Sequence, residues 1–369
     1  MTDFTTTGRT PARLPDPRRY APAGGHPLAD LAADSSPEAE RELNAAVERL
    51  LAAHADAEVR GALSLASSRE AHGRLWDVLC AASEGQGGRD EAVVARTFAL
   101  PLVIVSGARQ SATVGGALAD VATLAEVLRR AGALGASRNL GFSNALCSLE
   151  TLQRLPPSTV RDWSAPDAPG SSPRDVAPEP IAIRAGEEVH LRFLLGAAVT
   201  PAAAPPVHET AAHIGAWGLQ FARALGAQIA VPGIELLALP RPPAGVLKAA
   251  YTGRRAQLEV ALNLFMSNTI KRVRAAAGEP VVVVSVHEAG DRGGELRVSM
   301  SAPFDEAVLE GFRWPLHPIE EPNEIARMIG QFAADCRLTD VRIVDSIQPE
   351  GGAALFLRAD AAPPHSGRH

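Results

Sequence analysis

Residues Phe98 to Gly132 read FALPLVIVSGARQSATVGGALADVATLAEVLRRAG, and the fold is organised around them. Leu102, Val103, Ile104 and Val105 form an unbroken, largely β-branched run between Pro101 and Gly107. A strand with one wet face would alternate, so this run predicts a central strand covered on both faces. Beyond the turn, Leu118, Val121, Ala125 and Leu128 recur at helical spacing on one side of the chain. Glu126 and Arg130 lie one turn apart on the other side, and Gly132 follows as a C-cap. The stretch therefore reads as strand, turn and helix.

The turn between them, Ser106 to Gly116, is the candidate ligand site. A helix start carries partial positive charge on its free N–H groups and accepts anions. Ser106, Gly107, Arg109, Ser111 and Thr113 could converge there, with Arg109 adding a full charge and the small residues leaving room for a ligand. The competing structural reading is a tight connection with a Ser or Thr cap.

On the N-terminal side, residues 1–34 are rich in Pro, Gly, Thr and Arg without periodicity and read as a mobile arm. Ser36, Pro37, Glu38 and Glu40 make a good helix start, followed by Leu43, Val47 and Leu50 on one face. A second helix, 68–82, carries Leu75, Trp76 and Leu79 to the core beside the central strand. Ser143 is read as the N-cap of a short helix, 144–154, stopped by Pro156 and Pro157. The proline-rich stretch 156–180 then marks a domain boundary.

Past it the texture changes to hairpins. Val189, Leu191 and Phe193 alternate with Glu188, His190 and Arg192. A helix at 209–225, a short strand at 234–239, the connector PRPP and a long helix at 254–277 follow. Then come strands at 281–286 and 295–301, a helix at 323–336, and strands at 341–344 and 354–357. The expected architecture is α+β: an N-terminal helical layer around the strand–turn–helix unit, 36–155, then a C-terminal domain, 181–359. The latter is expected to be an antiparallel sheet of hairpins with helices on one face, ending in a tail, 360–369.

Composition excludes more than it selects. With 369 residues and 46% hydrophobic content the chain can build two cores. Its net charge of −6 and 4% aromatic content poorly supply both a phosphate-neutralising surface and stacking platforms, so nucleic acid is disfavoured as a partner. Of the 36 basic residues only Lys248 and Lys271 are lysine, which reflects composition bias more than adaptation. Cys80, Cys147 and Cys336 are far apart with no C-x-x-C, which encodes neither a disulfide framework nor a zinc knuckle. No apolar run approaches the roughly 20 residues that cross a bilayer, and the first residues lack the apolar core of a secretory signal. Cytoplasmic location and no membrane contact are the expectations.

Motifs fall short in specific ways. His208, Glu209 and His213 form H-E-x-x-x-H, one residue longer than the zinc-protease motif. Histidines at i and i+5 lie about 140° apart on a helix and cannot share one ion. Gly141 to Ala145 approximates a nucleophile elbow, but the residues before it do not read as the strand an elbow needs. No phosphate-binding glycine loop is present, and neither a metal nor a cofactor is implied. Lys271, Arg272 and Arg274 suit a helix C-terminus without any ligand. His190, His287 and His317 read as surface or edge residues.

Two readings of function follow. The first is a non-catalytic protein acting through a protein partner or self-association, from the absence of a catalytic constellation, the arm and the hairpin edges. The second is an enzyme or binding protein for a small anionic ligand at Ser106 to Gly116.

Overall fold

In the computed structural model the 102–105 run is part of a long strand, β1 (Val93–Ala108). The structure describes residues 14–84, 93–134, 137–163, 176–201, 214–276, 278–290, 293–302, 308–349 and 356–358. The architecture is α+β, and the chain divides into two compact units, Pro22–Ala261 and Met1–Ala21 with Leu262–His369.

Among the described residues of the first unit, four helices precede β1: α1 (Pro27–Ala33), α2 (Pro37–Ala52), α3 (Asp56–Ser64) and α4 (Arg69–Ser83). Ser36 and Ser68 cap α2 and α4 through their hydroxyls. Leu43, Val47, Leu51, Val59, Leu75 and Leu79 close a core among these helices that is separate from the strand's own.

After β1 come β2 (Ala112–Val114), α5 (Val121–Arg130), β3 (Arg138–Cys147), α6 (Leu149–Arg154), α7 (Pro157–Trp163), β4 (Ile181–Ile183) and β5 (Gly186–Pro201). The unit continues with α8 (Ile214–Ile229), β6 (Ile234–Pro240) and the first half of α9 (Val246–Ala276). The main sheet runs β3-β5-β1-β6. β1 is covered on both faces as the unbroken run requires. Phe98, Leu100, Leu102 and Ile104 enter one core with α5 and α8, while Ala99 and Val103 enter another with α6, α7 and α9.

β5 pairs along all of β1, from Val93↔Pro201 to Ala108↔Gly186. Residues on both sides of the expected 156–180 boundary therefore share one sheet. Residues 164–175 lie outside the description, but Glu179 is anchored: its carboxylate accepts from the Ser148 N–H and the Thr151 hydroxyl. Composition marks a proline-rich connection; it carries no information on strand pairing across it.

In the second unit the sheet runs β10-β7-β8-β9, from β7 (Val281–Ala289), β8 (Gly293–Ser301), β9 (Val308–Pro315) and β10 (Val341–Gln348). The order differs from the expected all-antiparallel sheet with a strand at 354–357. β9 is the fourth strand, β10 lies parallel to β7, and Phe356 to Arg358 are not strand. α10 (Pro322–Asp335) packs on β7, and Phe265 in the second half of α9 meets Phe312 of β9 with ring centroids 5.8 Å apart and planes tilted by 35°.

The stretch expected as a mobile arm is built into the structure from Leu14 onward. Leu14 to Ala21 lie on the second unit, and α1 belongs to the first. Residues 1–13 and 359–369 lie outside the described residues.

Candidate functional site

The five residues expected at the ligand turn do not converge. β1 extends through Ala108 and β2 begins at Ala112, so only Arg109, Gln110 and Ser111 are turn. The helix starts later, at Val121, with Asp120 accepting from the Thr123 N–H at 3.0 Å. The turn is thus removed from the helix N-terminus that was to attract an anion.

Ser106 is fully buried, with its Oγ 3.1 Å from His190 Nε2. Gly107 and Arg109 border a hollow of about 310 Å³ with Glu187 and Glu235, two carboxylates against one guanidinium. Ser111 and Thr113 are exposed, and Thr113 pairs with Ala182 in the β2–β4 ribbon. Gly116 is small for packing: a Cβ there would sit 2.2 Å from the Glu179 carbonyl oxygen.

The histidines depart from a surface reading. His190 has Glu188 Oε2 at 3.6 Å from the same Nε2 that Ser106 meets. A catalytic relay needs the carboxylate on the other ring nitrogen, so this is a cross-strand polar tie. His287 is buried on one face of the second sheet with Ser285, Glu295, Arg297, Ser299 and Ser301. Ser285 Oγ lies 2.8 Å from His287 Nε2, and Glu295 is held between Arg297 and Arg313. Burial pushes the His287 pKa down to about 4, with Arg297 adding to the effect, Glu295 opposing it and Arg313 reinforcing it.

Ser143 is not a helix cap. It lies in β3, fully buried, donating to the Ala145 carbonyl at 2.9 Å, and Ser148 caps α6 instead. The strand expected to be missing before an elbow is present, but no helix follows Ser143 directly. Arg272 and Arg274 pair with Glu310 and Glu279. His208, Glu209 and His213 lie outside the described residues, and among those described no three His, Cys, Asp or Glu side chains group to hold a metal.

The most constructed surface is one the sequence reading did not single out. Leu14 to Ala21, LPDPRRYA, lies against Glu288, Gly294 and residues 317–323 of its own unit. Asn323 reads the backbone of Leu14 in both directions, its Oδ1 accepting from the Leu14 N–H at 2.7 Å and its Nδ2 donating to the Leu14 carbonyl at 3.0 Å.

Arg18 is 8% exposed. Its Nη1 donates to the carbonyls of His317 at 2.6 Å and Pro318 at 2.9 Å, and its Nη2 donates to that of Glu320 at 2.6 Å. Asp16 neutralises it with two further bonds of 2.7 Å. Burial raises the Asp16 carboxyl, but the bonds to Arg18 outweigh this and hold its pKa below the ordinary value. The carbonyl cradle is itself fixed: buried Glu320 accepts from the His317 N–H at 2.8 Å and from Trp314 Nε1 at 3.4 Å.

Pro17 rests on Gly294, where any Cβ would stand 2.4 Å from the proline ring. Arg19 pairs with Glu288 at 2.7 Å. Two prolines bracketing an acid before a pair of arginines were the available sequence signal, since each proline fixes φ and pre-extends the chain.

Comparison with protein-family models, with curated proteins and with solved structures finds no match to this chain.

Proposed function

We propose that the protein acts through contacts with other proteins, and that Glu288, Gly294 and residues 317–323 form a receptor surface for an extended, proline-framed segment carrying an arginine. In this chain Leu14–Ala21 fills it in cis. The observation that carries this reading is Arg18, whose guanidinium is buried among three backbone carbonyls fixed by Glu320.

Such a cradle selects by charge and shape. Only a fork of N–H donors meets three convergent carbonyls, and lysine lacks the planar geometry. Asn323 supports main-chain recognition independent of side chain, as in known modes of peptide capture. Prolines at 15 and 17 lower the conformational entropy lost on docking. The occupant in trans is a partner segment of this chemistry or the same strap from a second copy. We place the protein in the cytoplasm: its three cysteines are unpaired, two of them buried, which suits a reducing compartment. Among the described residues no helix is long and apolar enough to cross a membrane.

The test is fluorescence anisotropy with a labelled peptide of residues 10–22, titrated with the full-length chain carrying Arg18→Ala, in which the strap is loosened. The peptide is expected to bind saturably, and a peptide with alanine in place of its own arginine 18 is expected not to. Equal binding of both peptides, or none to the loosened chain, contradicts the reading. Light scattering of the wild type distinguishes exchange between copies, which gives a dimer, from partner capture, which leaves a monomer.

A further inference from the structure

We infer a second site, an anion-binding pocket in the Pro22–Ala261 unit at the junction of the 240–245 connector and α9. A hollow of about 330 Å³ is lined by Arg241, Lys248, Thr252, Arg255 and Glu259, with Pro242, Pro243, Ala244 and Ala256 supplying its apolar wall.

Three cations here face one carboxylate. Glu259 accepts from Arg255 Nε at 3.2 Å and from Arg241 Nη2 at 3.3 Å, so it holds both guanidinium groups in place but neutralises one charge. Arg241 Nε is buried without a hydrogen-bond partner. Lys248 makes no hydrogen bond or close ion pair among the described residues. The Glu84 carboxyl, raised by burial, also feels the Lys248 charge, but Arg96 acts on the same carboxyl. The pocket is therefore left with uncompensated positive charge in a half-buried setting, where attraction for an anion exceeds its value in water.

The spacing follows from the helix. Lys248, Thr252, Arg255 and Glu259 recur at three to four residues and form one stripe of α9, while the main chain of Arg241 is pinned by its N–H to the Pro101 carbonyl at 2.8 Å. The ligand class is a small organic anion, with a carboxylate or phosphate head for the cations and a compact apolar body for the proline and alanine wall. An arginine pair with an adjacent lysine is suited to such a head.

Phenyl phosphate, benzoate, inorganic phosphate and neutral benzyl alcohol are the probes, titrated calorimetrically into the full-length protein. The two aromatic anions are expected to bind and benzyl alcohol not to. Lys248→Gln should weaken binding about tenfold, the scale of one charge-assisted hydrogen bond, whereas Lys271→Gln, the same charge change in the other unit, should leave it unaltered.

Amine acetylation read by mass spectrometry provides a measurement free of variants, because the chain has only these two lysines. Phenyl phosphate should protect Lys248 and spare Lys271. No binding by either aromatic anion, an unchanged Lys248→Gln, or equal protection of both lysines overturns the site. If inorganic phosphate binds as tightly as phenyl phosphate, the assignment to organic anions falls.

Discussion

Arg18 shows how a single side chain can organise a surface. Buried among carbonyls with Asp16 as its counter-charge, it is satisfied only while the strap is docked. Arg18→Ala leaves those carbonyls without a donor, and hydrogen bonds to charged groups contribute about 1.5–3 kcal/mol each. We expect strap release ahead of global unfolding, read as faster tryptic cleavage after Arg19 at temperatures below the melting transition, with the transition itself lowered because the dock stabilises only the native state. Cleavage at the wild-type rate would contradict it.

His287 makes the opposite kind of prediction, because its depressed pKa keeps it neutral in the fold. The unfolded imidazole takes up its proton near 6.5, so as pH falls from there to about 4 protonation favours the unfolded chain. Stability is present above this window and lost through it, on the order of 3 kcal/mol in full. Urea midpoints at pH 7 and pH 5 should therefore diverge more for the wild type than for His287→Gln, and parallel behaviour would refute the account. Neither residue was legible beforehand. Arg18 meets carbonyls about 300 positions away, and His287 alternates with valines in a strand whose polar face has no outward sign of burial.

At the level of elements, the central strand was readable because Leu102 to Val105 is continuous and apolar, a property of the residues themselves. Its pairing was not, since β5 joins β1 across 80 or so intervening residues by backbone hydrogen bonds that any sequence can make. β9 does carry a strand signal in its sequence: Phe312 and Trp314 alternate with Gly311 and Arg313. Small residues of the expected ligand turn serve strand continuation and the close pass of Glu179 over Gly116, neither of which composition shows.

The strand's burial predicts that Val103→Ala, at a fully buried position, costs on the order of 2 kcal/mol by denaturant titration. A tighter constraint sits opposite it. α9 approaches the sheet at Gly253, where a Cβ would stand 2.8 Å from the Phe193 ring and 2.9 Å from Pro101. Gly253→Val should destabilise by about 1–3 kcal/mol or more through overpacking, and a variant that melts with the wild type would show the helix to lie further away.

For the molecule as a whole, the chain enters the second unit, leaves it after Ala21 and returns at Leu262. Leu14–Ala21 is thus distant in sequence from the rest of its own unit and held to it by side-chain and backbone contacts. Composition identified the strap as non-periodic, which is correct for a segment whose order comes from its dock and not from its own helix or strand pattern. The measurement that tests the receptor surface most directly is photo-crosslinking of a residue 10–22 peptide, carrying benzophenone in place of Leu14, to the full-length Arg18→Ala chain, with the adduct mapped by mass spectrometry. The account predicts adducts within 317–323, around Asn323, suppressed by excess unlabelled peptide. Adducts spread over the surface, or confined to the Pro22–Ala261 unit, would contradict it.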